Sequence, residues 1–262
     1  MSGGGARPTD PPGDRPRPAA EDPRLAGAYL RFGKRLLDLA LAIPLVTLML
    51  LPALTVAILV RLVDGPGVLF SQLRVGRRGR LFRLVKFRTM VHRRQDADTV
   101  TVARDPRVTP LGALLRRFKM DELPQLVNVL RGDMSFVGPR PDVSGYMDAL
   151  EGDAAALREL RPGITGPATL VFRDEEGLLA AVDEPSEFND LVLFPTKVRL
   201  NLRYLGEMSL AGDLKWMILT VAPRRRLHAY LRAAGWMDMA GPTRPEDETA
   251  ADRRRTGPVC DG

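Results

Sequence analysis

The sequence predicts an α+β fold, predominantly helical, in which a globular domain with a small β-hairpin is attached to a re-entrant, kinked membrane helix. Three observations predict it. Residues 39–60, "LALAIPLVTLMLLPALTVAILV", run for twenty-two positions without a charge, and about 20 apolar residues suffice to cross a bilayer as a helix. Residues 68–90 alternate apolar and basic side chains around Gly76 and Gly79, the pattern of a hairpin with one basic face. Most of the remaining chain carries apolar residues at helical spacing.

The chain divides into five stretches. Residues 1–23 hold six prolines and four glycines and almost no large apolar side chain, so they read as a disordered tail. Residues 24–64 form the membrane-associated segment. It is not a cleaved signal peptide, because the run starts too far in and no small-residue cleavage site follows. Arg31, Lys34 and Arg35 precede it, and Arg61, Arg74, Arg77, Arg78 and Arg80 follow it, whereas a spanning helix carries its Lys/Arg excess on one side. Pro44 and Pro52 interrupt the run, and each removes a backbone donor. Two arrangements meet these facts. One is a plain kinked spanning helix. The other, favoured by the basic flanks, enters the bilayer, bends near Pro52 and leaves by the same face. The carbonyl that Pro52 frees near Leu48 then needs a partner, for which Thr47 is a candidate.

Residues 65–223 form the main domain. After the hairpin, "DPRVTPLGALLRRFKM" reads as a loop and a short amphipathic helix. A further helix starts near Asp121 and runs through "LPQLVNVLRG", with Gly132 as its C-cap. "SFVGPRPDVSG" is a Gly/Pro loop. "AAALRELRPGITGPATL" is a helix ending before a second such loop, and 173–183 and 196–208 are helical. Residues 224–240 complete an amphipathic helix, basic on one side, suited either to a membrane surface or to the core. Residues 241–262 repeat the composition of the first tail.

The formal charge is +7, so the partners are anionic: nucleic acid, lipid head groups or phosphorylated small molecules. The single cysteine, Cys260, excludes an internal disulfide. With His92 and His228 it cannot build an ordinary structural zinc site, so any metal is a hard ion on oxygen. No Walker loop or dinucleotide glycine motif follows a strand.

Cations recur beside Gly and Pro turns: Lys86 and Arg88 in "KFRTM", Arg107 in "DPRVTP", Arg116 and Arg117, Arg140 in "VGPRP", and Arg161 in "RPGITG". Each alone reads as a solvated charge. Together they predict several loops converging on a polyanion, whose phosphate oxygens suit the guanidinium fork. Among them sits the acidic pair Asp121–Glu122. The simplest reading is a helix start, with carboxylates at the positive end of the dipole and Pro124 in the first turn. In a phosphate pocket two further roles fit. One carboxylate can hold Mg²⁺ against phosphates. The other can attack phosphorus as a nucleophile, kept ionised by the dipole and the neighbouring arginines.

"KRLLDLALAIP", "KFRTM", "DPRVTPLGALLRR", "DELPQLVNVLRGDMSFVGPRP" and "RPGITG" follow one another in this order over roughly residues 31–223. On these motifs the chain resembles the bacterial sugar transferases, the small monotopic phosphoglycosyl transferases that start glycan assembly. The resemblance implies a two-step transfer of sugar phosphate from a nucleoside diphosphate sugar, usually a UDP-sugar, to polyprenol phosphate (undecaprenyl phosphate). UMP is released, in the first membrane step of polysaccharide or glycoconjugate synthesis. It implies Asp121 as the covalent nucleophile and Glu122 as a Mg²⁺ ligand. Lys86, Arg88, Arg107, Arg117, Arg140 and Arg161 are then candidates for substrate binding, and Pro52 for the membrane kink. The expected location is the inner membrane, with the domain on the cytosolic face. Here "PATLVFRDEE" follows "RPGITG" where many members have Trp-Ala-Gln, and Leu51 stands where a Ser often precedes the kink proline. Two other readings compete. A basic nucleic-acid-binding protein has no use for the apolar run and would interleave aromatics with its cations, so nucleic acid is not expected as a partner. An inactive membrane scaffold would not need the Asp121–Glu122 pair.

Overall fold

The computed structural model describes residues 22–91 and 106–240. The tail readings for 1–21 and 241–262, and His92, lie outside the described residues. Pro23 already belongs to a helical turn, Pro23–Leu25, so the expected tail ends just short of it.

The apolar run folds as one long helix. α1 spans Lys34–Val63, continued backwards by a wider turn over Tyr29–Gly33. It passes through Pro44 and Pro52 without a break in the helix. Thr47 does not serve the carbonyl that Pro52 frees. Its hydroxyl donates to Ile43 O (3.1 Å), and Thr55 donates to Leu51 O (3.0 Å). Only 11% of the most apolar stretch is buried, so this is not a core helix. Leu36, Leu48, Leu51 and Leu62 are among its exposed side chains. What α1 does bury lies near its two ends. Ala42 packs with Phe82, Leu84, Val129 and Met134, while Val56 and Val60 pack with Phe87 and Leu115.

β1 (Leu69–Val75) and β2 (Leu81–Phe87) pair antiparallel, Leu69 opposite Phe87 and Val75 opposite Leu81. The expected hairpin is therefore present. Its turn uses two left-handed residues, Arg78 (φ 59°) and Gly79 (φ 71°). α2 (Pro110–Arg117) starts on a Thr109 hydroxyl that accepts from Gly112 N at 2.8 Å. The next helix does not begin at Asp121. Lys119 turns left-handed (φ 55°), Met120–Glu122 makes one tight turn, and α3 runs Gln125–Arg131 with Pro124 at its cap. Gly132 (φ 87°) closes α3 as expected, its N–H donating to Asn128 O and Val129 O.

The two Gly/Pro stretches read as loops are paired strands. β3 (Ser135–Val137) lies parallel to β4 (Gly163–Thr165). Their closeness explains the glycines: a Cβ on Gly138, Gly163 or Gly166 would collide with the backbone of the facing segment. Residues 152–159 form tight helical turns and not the expected α-helix. α4 (Pro167–Val171), α5 (Glu175–Leu179) and α6 (Pro185–Phe188) are short; α7 (Phe194–Glu207) and α8 (Leu210–Val221) are the main helices of the core. The stretch expected as one amphipathic helix breaks at Pro223 into α8, α9 (Arg224–Ala233) and α10 (Trp236–Ala240). Its apolar face turns inward. Leu227, Leu231 and Trp236 are at most 1% exposed, and Trp216 meets Trp236 edge-on at 5.0 Å.

α1 is locked to this core by a buried charge. Lys34 Nζ donates to Asp213 Oδ2 (2.5 Å) and to Tyr204 OH (3.1 Å). Tyr29 and Tyr204 hydroxyls donate to the same carboxylate at 2.7 and 2.6 Å. Removing two charges from water is costly, and it is tolerated only when their remaining hydrogen-bonding positions are filled, as they are here.

Candidate active site

A cleft of about 1090 Å³ opens between the hairpin, the turn holding Asp121 and α7. Strand alternation builds its first wall. Phe70, Gln72 and Arg74 of β1 and Leu84 and Lys86 of β2 share one face and line it, because side chains two apart in a strand point the same way. Asn128, fully buried, ties this wall to α3: its Nδ2 donates to Arg83 O (2.8 Å) and its Oδ1 accepts from Val85 N (3.3 Å). Lys86 is thereby fixed against the turn that carries the acidic pair.

The left-handed Lys119 directs the chain inward, and Asp121 is 7% exposed. Its Oδ1 is buried without a hydrogen-bond partner. Buried polar atoms are normally paired, so this one is either strained or kept for a ligand. Glu122 sits beside it, with Oε1 3.9 Å from Lys86 Nζ. Burial raises the Asp121 carboxyl above the ordinary range and Glu122 adds to the rise, while Lys86, Lys119 and Arg116 pull it down. The surrounding cations therefore do not by themselves hold Asp121 in the ordinary carboxylate range, contrary to expectation; desolvation outweighs them. Burial likewise lowers the Lys86 ammonium, with Glu122 opposing and Arg140 reinforcing the effect.

The sequence-predicted cations divide. Lys86, Arg107, Arg117 and Arg140 line the cleft with Asp121 and Glu122. Arg88 also borders it, but its guanidinium donates to the carbonyls of Asp64 (2.6 Å), Gly65 (3.0 Å) and Pro66, and so clasps the exit of α1. Arg161 does not line the cleft. Its Nε donates to Gly132 O at 2.8 Å, beside Arg35, which donates to Val129 O and Leu130 O. Both cap the C-terminal end of α3, where carbonyls are left unpaired.

Arg74 was read from the sequence only as part of the basic flank of the apolar run, yet it belongs to the cluster. It lines the cleft, its Nε is buried without a partner, and burial together with nearby Arg140 lowers its guanidinium. Its signal was the hairpin register, which places it on the Lys86 face. Lys197 and Asn201 of α7, and Asp142, whose carbonyl accepts from Val75 N at the end of β1, also line the cleft and were missed.

Among the described residues no three His, Cys, Asp or Glu side chains gather as a metal cluster. The Asp121–Glu122 pair, with its orphaned oxygen, still fits Mg²⁺, which is commonly held by one or two carboxylates while substrate phosphates and water supply the rest.

Comparison with known proteins bears on the chain's family. The bacterial sugar transferase family matches residues 29–224. A UDP-glucose:undecaprenyl-phosphate glucose-1-phosphate transferase of Caulobacter vibrioides is 38% identical over 211 residues, covering 78% of this chain and 73% of that protein. The uncharacterized sugar transferase EpsL of Bacillus subtilis is 37% identical, covering 72% of this chain and 85% of its own. A UDP-galactose-lipid carrier transferase of Erwinia amylovora is 35% identical over 75% of this chain but only 41% of its own length. With the family match spanning the long helix, the hairpin, the acidic turn and both glycine-paired strands, this chain belongs to the bacterial sugar transferase family.

Proposed function

We propose that the chain transfers a sugar phosphate from a UDP-sugar to undecaprenyl phosphate at a membrane surface, with Asp121 as the covalent nucleophile. The observation that carries this reading is the buried Asp121, its Oδ1 without a hydrogen-bond partner, lining one cleft with Lys86, Arg74 and Arg140, in a chain whose relatives are named for UDP-sugar donors and undecaprenyl phosphate.

In the first step an Asp121 carboxylate oxygen bonds to the β-phosphorus of the donor. The bond from that phosphorus to the bridging oxygen breaks, and UMP leaves with the electron pair. In the second step a phosphate oxygen of undecaprenyl phosphate bonds to the same phosphorus. The bond to Asp121 breaks, restoring the carboxylate and releasing undecaprenyl diphosphate sugar. Lys86, Arg74 and Arg140 balance the charge of the diphosphate. Arg116 and Lys119 favour the anionic form of Asp121 that the attack requires. Glu122, beside Asp121, would hold Mg²⁺, which when bound would supply positive charge to the phosphates.

The membrane reading rests on α1. A helix of its length extends about 45 Å, and both of its ends pack against the same domain. This supports a monotopic arrangement in which both ends stay on the side of the domain and the exposed apolar face of the unbroken helix enters one leaflet. The cytoplasmic face of a bacterial inner membrane suits the basic flanks.

The test is UMP release by detergent-solubilised protein given UDP-glucose or UDP-galactose, Mg²⁺ and undecaprenyl phosphate. Turnover is expected with the acceptor and about one equivalent of UMP without it. Asp121→Asn should release none. Absence of UMP with every UDP-sugar would overturn the reading.

A further inference from the structure

The wall of the cleft opposite Lys86 takes no part in the transfer steps. α7 forms it, and Lys197 and Asn201 stand one turn apart on the same helix face, both lining the cleft. Lys197 is engaged, its Nζ 2.7 Å from Glu175 Oε1. Asn201 is 4% exposed, and its Oδ1 is buried with no hydrogen-bond partner. A buried amide oxygen left unpaired in a ligand-sized cleft calls for a donor from outside the chain.

Asp142 lines the same region. Burial raises its carboxyl above the ordinary range, and Lys197, Arg140 and Arg74 oppose the rise. The Asp142 carbonyl accepts from Val75 N at 2.9 Å, next in sequence to Arg74, so the region adjoins the cleft cations Arg74 and Arg140, where a group attached to a phosphate falls.

We infer that Asn201 and Asp142 form the subsite that reads the hydroxyl groups of the transferred hexose. The inference rests on the function proposed above. The open positions are acceptors, the unpaired Asn201 Oδ1 and the Asp142 carboxylate when ionised, so the ligand must bring several donors; the Asn201 amide N–H groups can donate in addition. A hexose brings several hydroxyls. Uracil brings one N–H and two carbonyl oxygens that a carboxylate repels, and ribose brings two hydroxyls. Phosphate brings none that Asp142 would accept when ionised. Asn201 is thus a specificity residue, distinct from the groups that touch phosphorus.

The experiment measures UMP release by the full chain in detergent, with Mg²⁺ and undecaprenyl phosphate, on its best UDP-hexose and on the 2-, 3-, 4- and 6-deoxy analogues. A site built to hydrogen-bond a hydroxyl strongly rejects the analogue lacking it. Wild type should lose about tenfold or more in kcat/KM on at least one analogue. In Asn201→Ala that penalty should shrink to about threefold or less, while inhibition by UMP stays within about twofold. Asn201→Asp, which keeps an acceptor, should retain discrimination. Equal discrimination in wild type and Asn201→Ala overturns the inference, as does loss of UMP inhibition matching the loss for the hexose donor, which would assign Asn201 to the nucleoside. Should Asn201→Ala fail to fold, tolerance of every deoxy donor by wild type overturns it equally. A folded wild type that releases UMP from no UDP-hexose sinks the proposed function and this inference with it. Activity with unaltered discrimination sinks the inference alone.

Discussion

Lys34→Met tests how α1 is held to the domain. The substitution keeps most of the side-chain volume and removes the charge. It strands the Asp213 carboxylate, 1% exposed, without its cation. Breaking a buried ion pair from one side costs about 3–5 kcal/mol. Here the hydroxyls of Tyr204 and Tyr29 still donate to Asp213 at 2.6 and 2.7 Å, so the low end, about 3 kcal/mol, applies. For an ordered body of this size, each kcal/mol moves Tm by about 2–4 °C, giving a fall of about 6–12 °C. Thermal unfolding of the detergent-solubilised protein reads it. Lys34→Met/Asp213→Leu should recover most of the loss, because replacing both members of a buried pair by apolar groups is close to neutral. A single variant within about 2 °C of wild type, or a double variant that sums the two single losses, would refute the claim that this pair fastens α1 to the core.

Three other perturbations bear on the site and its setting. Burial keeps the proton on Asp121 at pH values where the unfolded chain has lost it. The acidic limb of kcat/KM should therefore lie above the ordinary Asp range, and activity should fall as pH drops through the raised value. By the same sign, this carboxyl favours folding below the unfolded Asp range and ceases to as pH rises through the folded value; at neutral pH Asp121→Asn should raise Tm while abolishing turnover, a gain of about 1 kcal/mol read by thermal unfolding. Gly163→Ala should disrupt the β3–β4 pairing, since its Cβ meets the Gly138 backbone; loss of soluble yield or a fall of about 2 kcal/mol or more is expected, and an unchanged Tm would reject the close approach. Cysteines placed at Gly27 and Gly65, either side of the long helix, should both label from the cytoplasmic side in intact cells; labelling from opposite sides would reject the monotopic reading.

The parts of the fold legible in the sequence were those with local signatures. Alternation around Gly76 and Gly79 marked the hairpin, and Gly132 marked the end of α3. The β3–β4 pairing left no such mark. Each strand is three residues long, and glycines that permit two backbones to touch look in sequence like glycines in a loop. The break between α8 and α9 was available in Pro223, but continuous apolar spacing across it suggested a single helix. Site residues followed the same rule. Asp121, Glu122 and Lys86 stand in dense local motifs. Arg161 and Arg88 stand in equally dense ones and instead hold carbonyls of the fold, because a cation beside a Gly/Pro turn reads the same whether it caps a helix or meets phosphate. Asn201 carried no signal: only the packing of α7 decides which of its polar side chains faces the cleft.

The central claim is covalent capture of phosphorus by one carboxylate. Protein quenched after mixing with a UDP-hexose and Mg²⁺, without undecaprenyl phosphate, should gain the mass of a hexose phosphate, and peptide mapping should place it on Asp121. Adding undecaprenyl phosphate should clear it. Steady UMP release with acceptor, but no modified peptide at any quench time, would contradict the account.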